Sequence, residues 1–319
     1  DLCCGQRAGG VNTIRTRGGT DYVTIGHRRG PSRDTVDLGR GDDSLTVLRG
    51  KDHRRADLTG GEGADALSLY LPLRGLFAVD AEQGTASIGG APFVHWSAFE
   101  GYDLLSQGAV SFTGTAGDDT VALVGPGPIT ATTGAGDDTV AVSPFSTSSG
   151  SIDGGDGEDV VDYSSHADIV GDVATGAITT EDVTLTVTSV ERWGVNSTGS
   201  VELTGSRGDD VLRADACSVT LRGGGGNDQL TAGREPSDEG VFVSYSPDSP
   251  PGRCGAPTSK VYGEAGDDVL ISGDSFASYA RRKPRERVSL LDGGDGIDVA
   301  IGGDGRVACL AETRVSCED

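Results

Sequence analysis

The 319 residues carry a formal net charge of -23, from 49 Asp and Glu against 26 Lys and Arg. Aromatics are scarce at 5%, methionine is absent, and glycine reaches 52 residues, more than twice the ~7% of ordinary proteins. This composition excludes a large aromatic core as the main source of stability, and the charge excludes nucleic acid and anionic membranes as partners. Cations are favoured. No apolar run approaches the ~18 residues of a membrane span.

The chain opens at DLCCGQ, without a visible signal peptide, which reads as the start of a processed or trimmed product. Six cysteines (Cys3, Cys4, Cys217, Cys254, Cys309, Cys317) lack CxxC metal spacing and read as disulfides of an exported protein. Cys309 and Cys317 are the best pair, closing a small C-terminal loop; free buried thiols are the alternative.

Short alternating runs, expected as strands, then recur around acid-bearing glycine turns. In chain order these are TRGGTDYVT (16–24), LGRGDDSLT (38–46), GGEGADALS (60–68), GTAGDDTVA (114–122), TGAGDDTVA (133–141) and GGDGEDVVD (154–162). There follow GSRGDDVLR (205–213), GGGGNDQLT (223–231), GEAGDDVLI (263–271) and GGDGIDVAI (293–301). The shared pattern is G-G-x-G-x-D-x-U-x, where U is a large apolar residue. GGDGRVACL (302–310) has Val307 in the aspartate slot and reads as a terminating turn.

The sixth-position aspartates are Asp21, Asp43, Asp65, Asp119, Asp138, Asp159, Asp210, Asp228, Asp268 and Asp298. Successive spacings of 22, 22, 19, 21 and 18 fit one solenoid coil of two short strands and two turns. In the wider gaps VDAEQGTASI (79–88) parallels DVATGAIT (172–179), and AFEGYDLL (98–105) parallels SVERWGVN (189–196), at an offset near 91. Three tandem units are expected: 1–105 including an N-terminal cap, 106–197, and a diverged 198–319 with loop insertions and a C-terminal disulfide cap. The motif-free halves still alternate, as in TLTVTSV (184–190), and are expected to be coils lacking the acid turn, giving one continuous solenoid.

Physical chemistry supplies the reason for the acids. Coils stack about 4.8 Å apart in the hydrogen-bonding direction. At that spacing and an effective dielectric near 20, adjacent carboxylates repel by roughly 3 kcal/mol. Several such contacts would open a domain that is stable by only ~5–15 kcal/mol. A divalent cation between coils reverses the sign. Carboxylate and carbonyl oxygens suit Ca²⁺ and disfavour zinc, copper and iron. The apolar U residues (Leu67, Val121, Val140, Val161, Leu212, Leu230, Leu270) fill the coil interior.

The nonapeptide resembles that of the RTX, or haemolysin-type, calcium-binding repeat proteins, over about residues 11–305 and through ten copies. DLCCGQRAGGVNTIRTRGGTD and CSVTLRGGGGND (217–228) are also similar to secreted actinobacterial calcium-binding proteins. The resemblance implies an all-β, right-handed parallel β-roll with several Ca²⁺ ions between turns, secreted or on the bacterial cell surface. It implies that the sixth-position carboxylates bind the ions. Backbone carbonyls at second positions (Gly39, Gly61, Gly134, Gly155, Gly224, Gly294) and fourth positions (Gly41, Gly63, Gly117, Gly136, Gly157, Gly208, Gly226, Gly266, Gly296) complete the shell. The family often repeats its motif every nine residues; here a copy falls about every twenty, so one ion-bearing edge is expected. The fifth-position acids (Asp42, Asp118, Asp137, Asp209, Asp267) read as solvent-facing, with a ligand role as the alternative.

Other motifs fall away. GDSFAS (273–278) mimics a hydrolase nucleophile block, but no histidine follows it. Among His27, His53, His95 and His166 there is no HExxH. GGGGND lacks the helix and Lys-Ser/Thr of a phosphate loop. DGGDGED and DGGDGID lack the glutamate of an EF-hand, having Ser164 and Gly303 there. RRKPRER (281–287) reads as a solvated loop, or as a docking point for an acidic glycan, a cell-wall or extracellular polysaccharide.

The leading reading is a non-enzymatic, monomeric, secreted protein that folds with calcium. A β-helix polysaccharide lyase or epimerase is the enzymatic alternative, weakened by having three lysines (Lys51, Lys260, Lys283) and no basic-aromatic groove. An adhesin or ice-binding solenoid using rows of threonine is the third.

Overall fold

The computed structural model describes residues 12–26, 33–48, 55–71, 74–142, 149–233, 258–273, 288–303 and 306–317. Every described element is a β-strand. The chain divides into two compact units, Asp1–Asp159 and Val160–Asp319.

In the first unit, strands Tyr22–Ile25, Ser44–Leu48, Ala66–Leu71, Gly101–Ser106, Thr120–Val124 and Thr139–Val142 pair side by side, all parallel. Their register aligns the U residues into a column: Val23, Leu45, Leu67, Tyr102, Val121 and Val140, all buried. A second column two residues on, Ile25, Val47, Leu69, Leu104, Leu123 and Val142, is also buried. This is period-two patterning applied to a stack: each strand turns one face inward, and parallel register repeats it coil after coil. Each fully buried Leu or Val contributes about 1.5–3 kcal/mol, so many small side chains do the work that aromatics do elsewhere.

In the second unit, Val160–Ser165, Arg192–Ser197, Val211–Asp215, Gln229–Ala232, Val269–Ser272, Val299–Ile301 and Thr313–Val315 form the corresponding parallel sheet. Its column is Val161, Trp193, Leu212, Leu230, Leu270 and Ala300. The alternate strands, from Ile169–Asp172 and Ser200–Thr204 to Arg306–Leu310, build its other parallel sheet. The fold is a parallel β-solenoid, as the sequence indicates.

The motif-free stretches depart in part from expectation. Residues 77–97 and 169–188 of them are largely antiparallel excursions, whereas Gly101–Ser106 and Arg192–Ser197 are, as expected, parallel coil strands without the nonapeptide turn. In the first unit Phe77–Asp80, Thr85–Ile88 and Ala91–Ser97 pair antiparallel in sequence. The first also pairs parallel with Val110–Thr113, and the last with Asp57–Glu62. Two turns cause this. Asp80 Oδ1 accepts the Gln83 N–H at 2.9 Å ahead of Gly84, and Gly89 and Gly90 both hold positive φ (56° and 79°), as a two-residue hairpin requires.

The second unit repeats the device with Ile169–Asp172, Ala177–Thr179 and Thr184–Thr188. Asp172 Oδ1 accepts the Thr175 N–H at 2.9 Å, and Gly176 has φ 66°. TLTVTSV is thus mostly an antiparallel strand.

Cys309 and Cys317 form the expected disulfide, and Cys217 is disulfide-bonded as well. Cys3, Cys4, Cys254, the insertion at 246–257 and RRKPRER lie outside the described residues. Val307 is not an empty aspartate slot: it is a buried residue of strand Arg306–Leu310, in register with Ser289.

Candidate metal centre

The acid turns begin with glycine geometry. At the second and fourth motif positions of all the turns but those of Asp119 and Asp210 the backbone runs at positive φ, for example 130° and 142° at Gly61 and Gly63, or 109° and 150° at Gly155 and Gly157. L-residues rarely adopt this region. The reason is proximity as well as φ. A Cβ on Gly61 would strike the Gly39 carbonyl oxygen, and one on Gly63 that of Gly41. The same relation holds for Gly155 over Gly134, Gly157 over Gly136, Gly266 over Gly226 and Gly296 over Gly266. Second- and fourth-position carbonyls are therefore aimed along the stack at the next turn. Arg17 and Glu264 take the second position without being glycine, at φ 81° and 76°.

The ten sixth-position aspartates fall at one edge of the strands, one per motif turn, and nine are buried; Asp21 is intermediate. Within each unit they are linked by a regular hydrogen bond. The Asp21 N–H donates to Asp43 Oδ1 (2.7 Å), and the Asp43 N–H to Asp65 Oδ1 (2.9 Å). Asp119 donates to Asp138 at 2.7 Å, and Asp138 to Asp159 at 2.8 Å. In the second unit the same bond joins Asp210 to Asp228 and Asp228 to Asp268, both at 2.8 Å, and Asp268 to Asp298 at 3.0 Å.

One oxygen of each linked carboxylate is thus fixed by the backbone of the preceding turn. The other is not. Oδ2 of Asp43, Asp65, Asp138, Asp228, Asp268 and Asp298 is buried and accepts no hydrogen bond. Asp119 and Asp210 differ, their Oδ2 accepting the N–H of Thr115 (2.6 Å) and Ser206 (2.5 Å), residues that replace the second glycine.

An uncompensated buried carboxylate oxygen is expensive. Burial, reinforced by neighbouring carboxylates, pushes the carboxyls of Asp65, Asp119, Asp138 and Asp268 up, and that of Asp228 to about 6. At neutral pH the column is an array of like charges with unsatisfied oxygens. That is the donor chemistry of a hard divalent cation.

Among the described residues no three His, Cys, Asp or Glu side chains converge on one point, so any ion would need backbone carbonyls in its shell. The second- and fourth-position carbonyls are disposed to supply them. The donor set fits calcium.

Sequence reasoning missed a second ladder. The fifth-position acids are exposed but not idle. Asp42 Oδ1 accepts the Ala64 N–H (3.0 Å), Asp118 that of Asp137 (2.9 Å), and Asp137 that of Glu158 (3.0 Å). Asp209 accepts from Asn227 (2.7 Å), Asn227 Oδ1 from Asp267 (2.9 Å), and Asp267 from Ile297 (2.9 Å). This ladder runs opposite to the inner one, each side chain capping the following turn. Each run ends on Ala64, Glu158 or Ile297, where no further motif turn follows. The signal was in the sequence: Asp or Asn stands at six of the seven fifth positions followed by another motif turn (Asp42, Asp118, Asp137, Asp209, Asn227, Asp267, with Thr20 the exception).

The other sequence candidates gather nothing. His95 is exposed on strand Ala91–Ser97, and His27, His53 and all of GDSFAS but its glycine lie outside the described residues.

Against known families, the RTX calcium-binding nonapeptide repeat matches in four copies over residues 204–235 and 260–275. None of the curated proteins compared matches the chain. Among the described residues no helix is long and apolar enough to cross a membrane.

Proposed function

We propose that this chain, which carries RTX calcium-binding nonapeptide repeats, is an exported structural protein whose turns bind several Ca²⁺ ions and whose folding depends on them. The observation that carries this reading is the set of buried, hydrogen-bond-free Oδ2 atoms on Asp43, Asp65, Asp138, Asp228, Asp268 and Asp298. The aspartates from Asp21 to Asp298 would supply carboxylates, and the motif glycines from Gly39 to Gly296 would supply carbonyls. Bound calcium contributes what the protein's oxygens lack, a positive charge between turns.

Occupancy adds stability by mass action, about 2.7 kcal/mol per site at a hundred times its Kd. That is comparable to the repulsion of roughly 3 kcal/mol between adjacent carboxylates. Calcium is scarce inside cells and abundant outside, so such a chain would stay open until exported. The donor set is also the argument for a binding rather than a catalytic role, since the nine buried motif aspartates of the described residues lie in the turns of the stack.

Three tandem units, 1–105, 106–197 and 198–319, fit the recurring antiparallel excursions at 77–97 and 169–188.

Isothermal titration calorimetry of the calcium-depleted protein tests the proposal. Saturation at several ions per chain, with magnesium unable to substitute, supports it. No heat of binding up to 10 mM calcium (about a thousand times the weakest sensor-type Kd) would overturn it.

A further inference from the structure

The acid column has members that the nonapeptide does not supply. Strand Gly101–Ser106 pairs Gly101 with Ala66 on one side and with Thr120 on the other. Glu100 therefore stands level with both Asp65 and Asp119. Thr313 pairs with Val299, which sets Glu312 level with Asp298. Arg192 pairs with Val211, which sets Glu191 level with Asp210.

Two of these glutamates reproduce the aspartate bond. Glu100 Oε2 accepts the Asp65 N–H, and Glu312 Oε2 accepts the Asp298 N–H, both at 2.9 Å. The longer side chain reaches from a turn of different build.

The three glutamate turns share a bracket absent from the motif turns. The side chain two residues after the glutamate donates to the carbonyl one residue before it. Tyr102 Oη bonds Phe99 O at 2.6 Å, Trp193 Nε1 bonds Val190 O at 3.3 Å, and Arg314 Nε bonds Ala311 O at 3.0 Å. Three chemically different donors hold the same loop, so the position of the acid is what the turns have in common.

Below two of these acids lies an unsatisfied oxygen. Asp65 and Asp298 are each 1% exposed, and Oδ2 of each accepts no hydrogen bond. Beside Asp65, Ala98 adopts φ 56°, a left-handed conformation that non-glycine residues hold only under constraint. This turns the Ala98 carbonyl over Gly60, where a Cβ would meet both that oxygen and Asp65 Oδ2.

We propose that Glu100 and Glu312 are calcium ligands, each closing a site outside the nonapeptide pattern: one with Asp65 and one with Asp298. This rests on the calcium reading of the motif turns. It adds that the ion column continues past the last consensus turn of a run onto a glutamate. The glutamate gives the outermost aspartate a second carboxylate, which a terminal turn without an acid would deny it.

Glu100→Gln and Glu312→Gln test this, because glutamine keeps an oxygen for the Asp65 or Asp298 N–H but loses the charge. A purely structural cap would not notice the change. Native mass spectrometry of the full chain at saturating calcium should show one fewer ion in each variant and two fewer in the double variant. Glu202→Gln, the same charge change on an exposed strand face, should match wild type.

Unchanged ion counts and calcium midpoints in both variants, with wild type loaded, would overturn the assignment of the glutamates alone. A wild type that binds no calcium would instead overturn the calcium reading itself. Circular dichroism in calcium checks the fold; should Glu100→Gln fold poorly, Glu312→Gln, in the last described turn, decides the question.

Discussion

Gly155 shows how far the turn depends on single residues. Its φ of 109° and the Gly134 carbonyl beneath it leave no room for a methyl group. Gly155→Ala should destabilise the calcium-loaded protein by more than about 2 kcal/mol. In a thermal melt this is a fall in Tm of roughly 4–8 °C for a unit of about 160 residues; an unchanged Tm would show that the turn is not held as described.

Asp228 carries the complementary case. Burial and the carboxylates of Asp268, Asp210 and Asp209 raise its pKa to about 6, against the Asp210 N–H that lowers it. Acids with raised pKa values bind protons more readily folded than unfolded. Their contribution is fully present below the unfolded pKa near 3.8 and is lost as pH rises through about 6. Asp168, lowered by the Ser200 N–H, opposes this only weakly from an exposed site. In chelator, acidification from pH 7 to about pH 4 should therefore restore β-structure, read by far-UV circular dichroism. A calcium-free chain that loses structure on acidification would contradict the raised values.

At the scale of the element, the outer ladder makes a graded prediction. Asp137→Ala removes the acceptor of the Glu158 N–H and should cost about 1 kcal/mol. Asp137→Asn keeps an amide oxygen there, as Asn227 does naturally for Asp267, and should be near neutral. Chemical denaturation in calcium separates the two; equal losses would mean that charge, not the hydrogen bond, matters.

The motif strands were legible because the period of two and the U column leave one register that buries Leu67, Tyr102 and Val121 together. The excursions were not. Alternation reads the same for a parallel and an antiparallel strand, and direction is set by turns such as Gly89–Gly90, whose paired glycines are a hairpin signal in themselves. Val307 was misassigned and Glu312 missed for a related reason. A nine-residue template finds the acid by its distance from glycines, whereas the stack places it by register with Asp298, and the two disagree where the turn changes.

For the whole molecule, the argument is about charge. A net charge of -23 is carried by a chain whose buried motif aspartates are linked turn to turn within each unit. The inner aspartates were legible because ten copies recur in one pattern. Their hydrogen-bonding partners were not, since an N–H donated to the next turn's carboxylate leaves no trace in composition or spacing.

On the proposed reading, in which each motif turn would lend its carbonyls and carboxylate to a neighbour, folding should be all-or-none in calcium. The most direct measurement is the far-UV circular dichroism of the intact protein in excess chelator and again at millimolar calcium. A disordered spectrum converting to β-structure at a sharp calcium threshold is the predicted result. Superimposable β-spectra in the two conditions would contradict the claim that a cation holds the turns together.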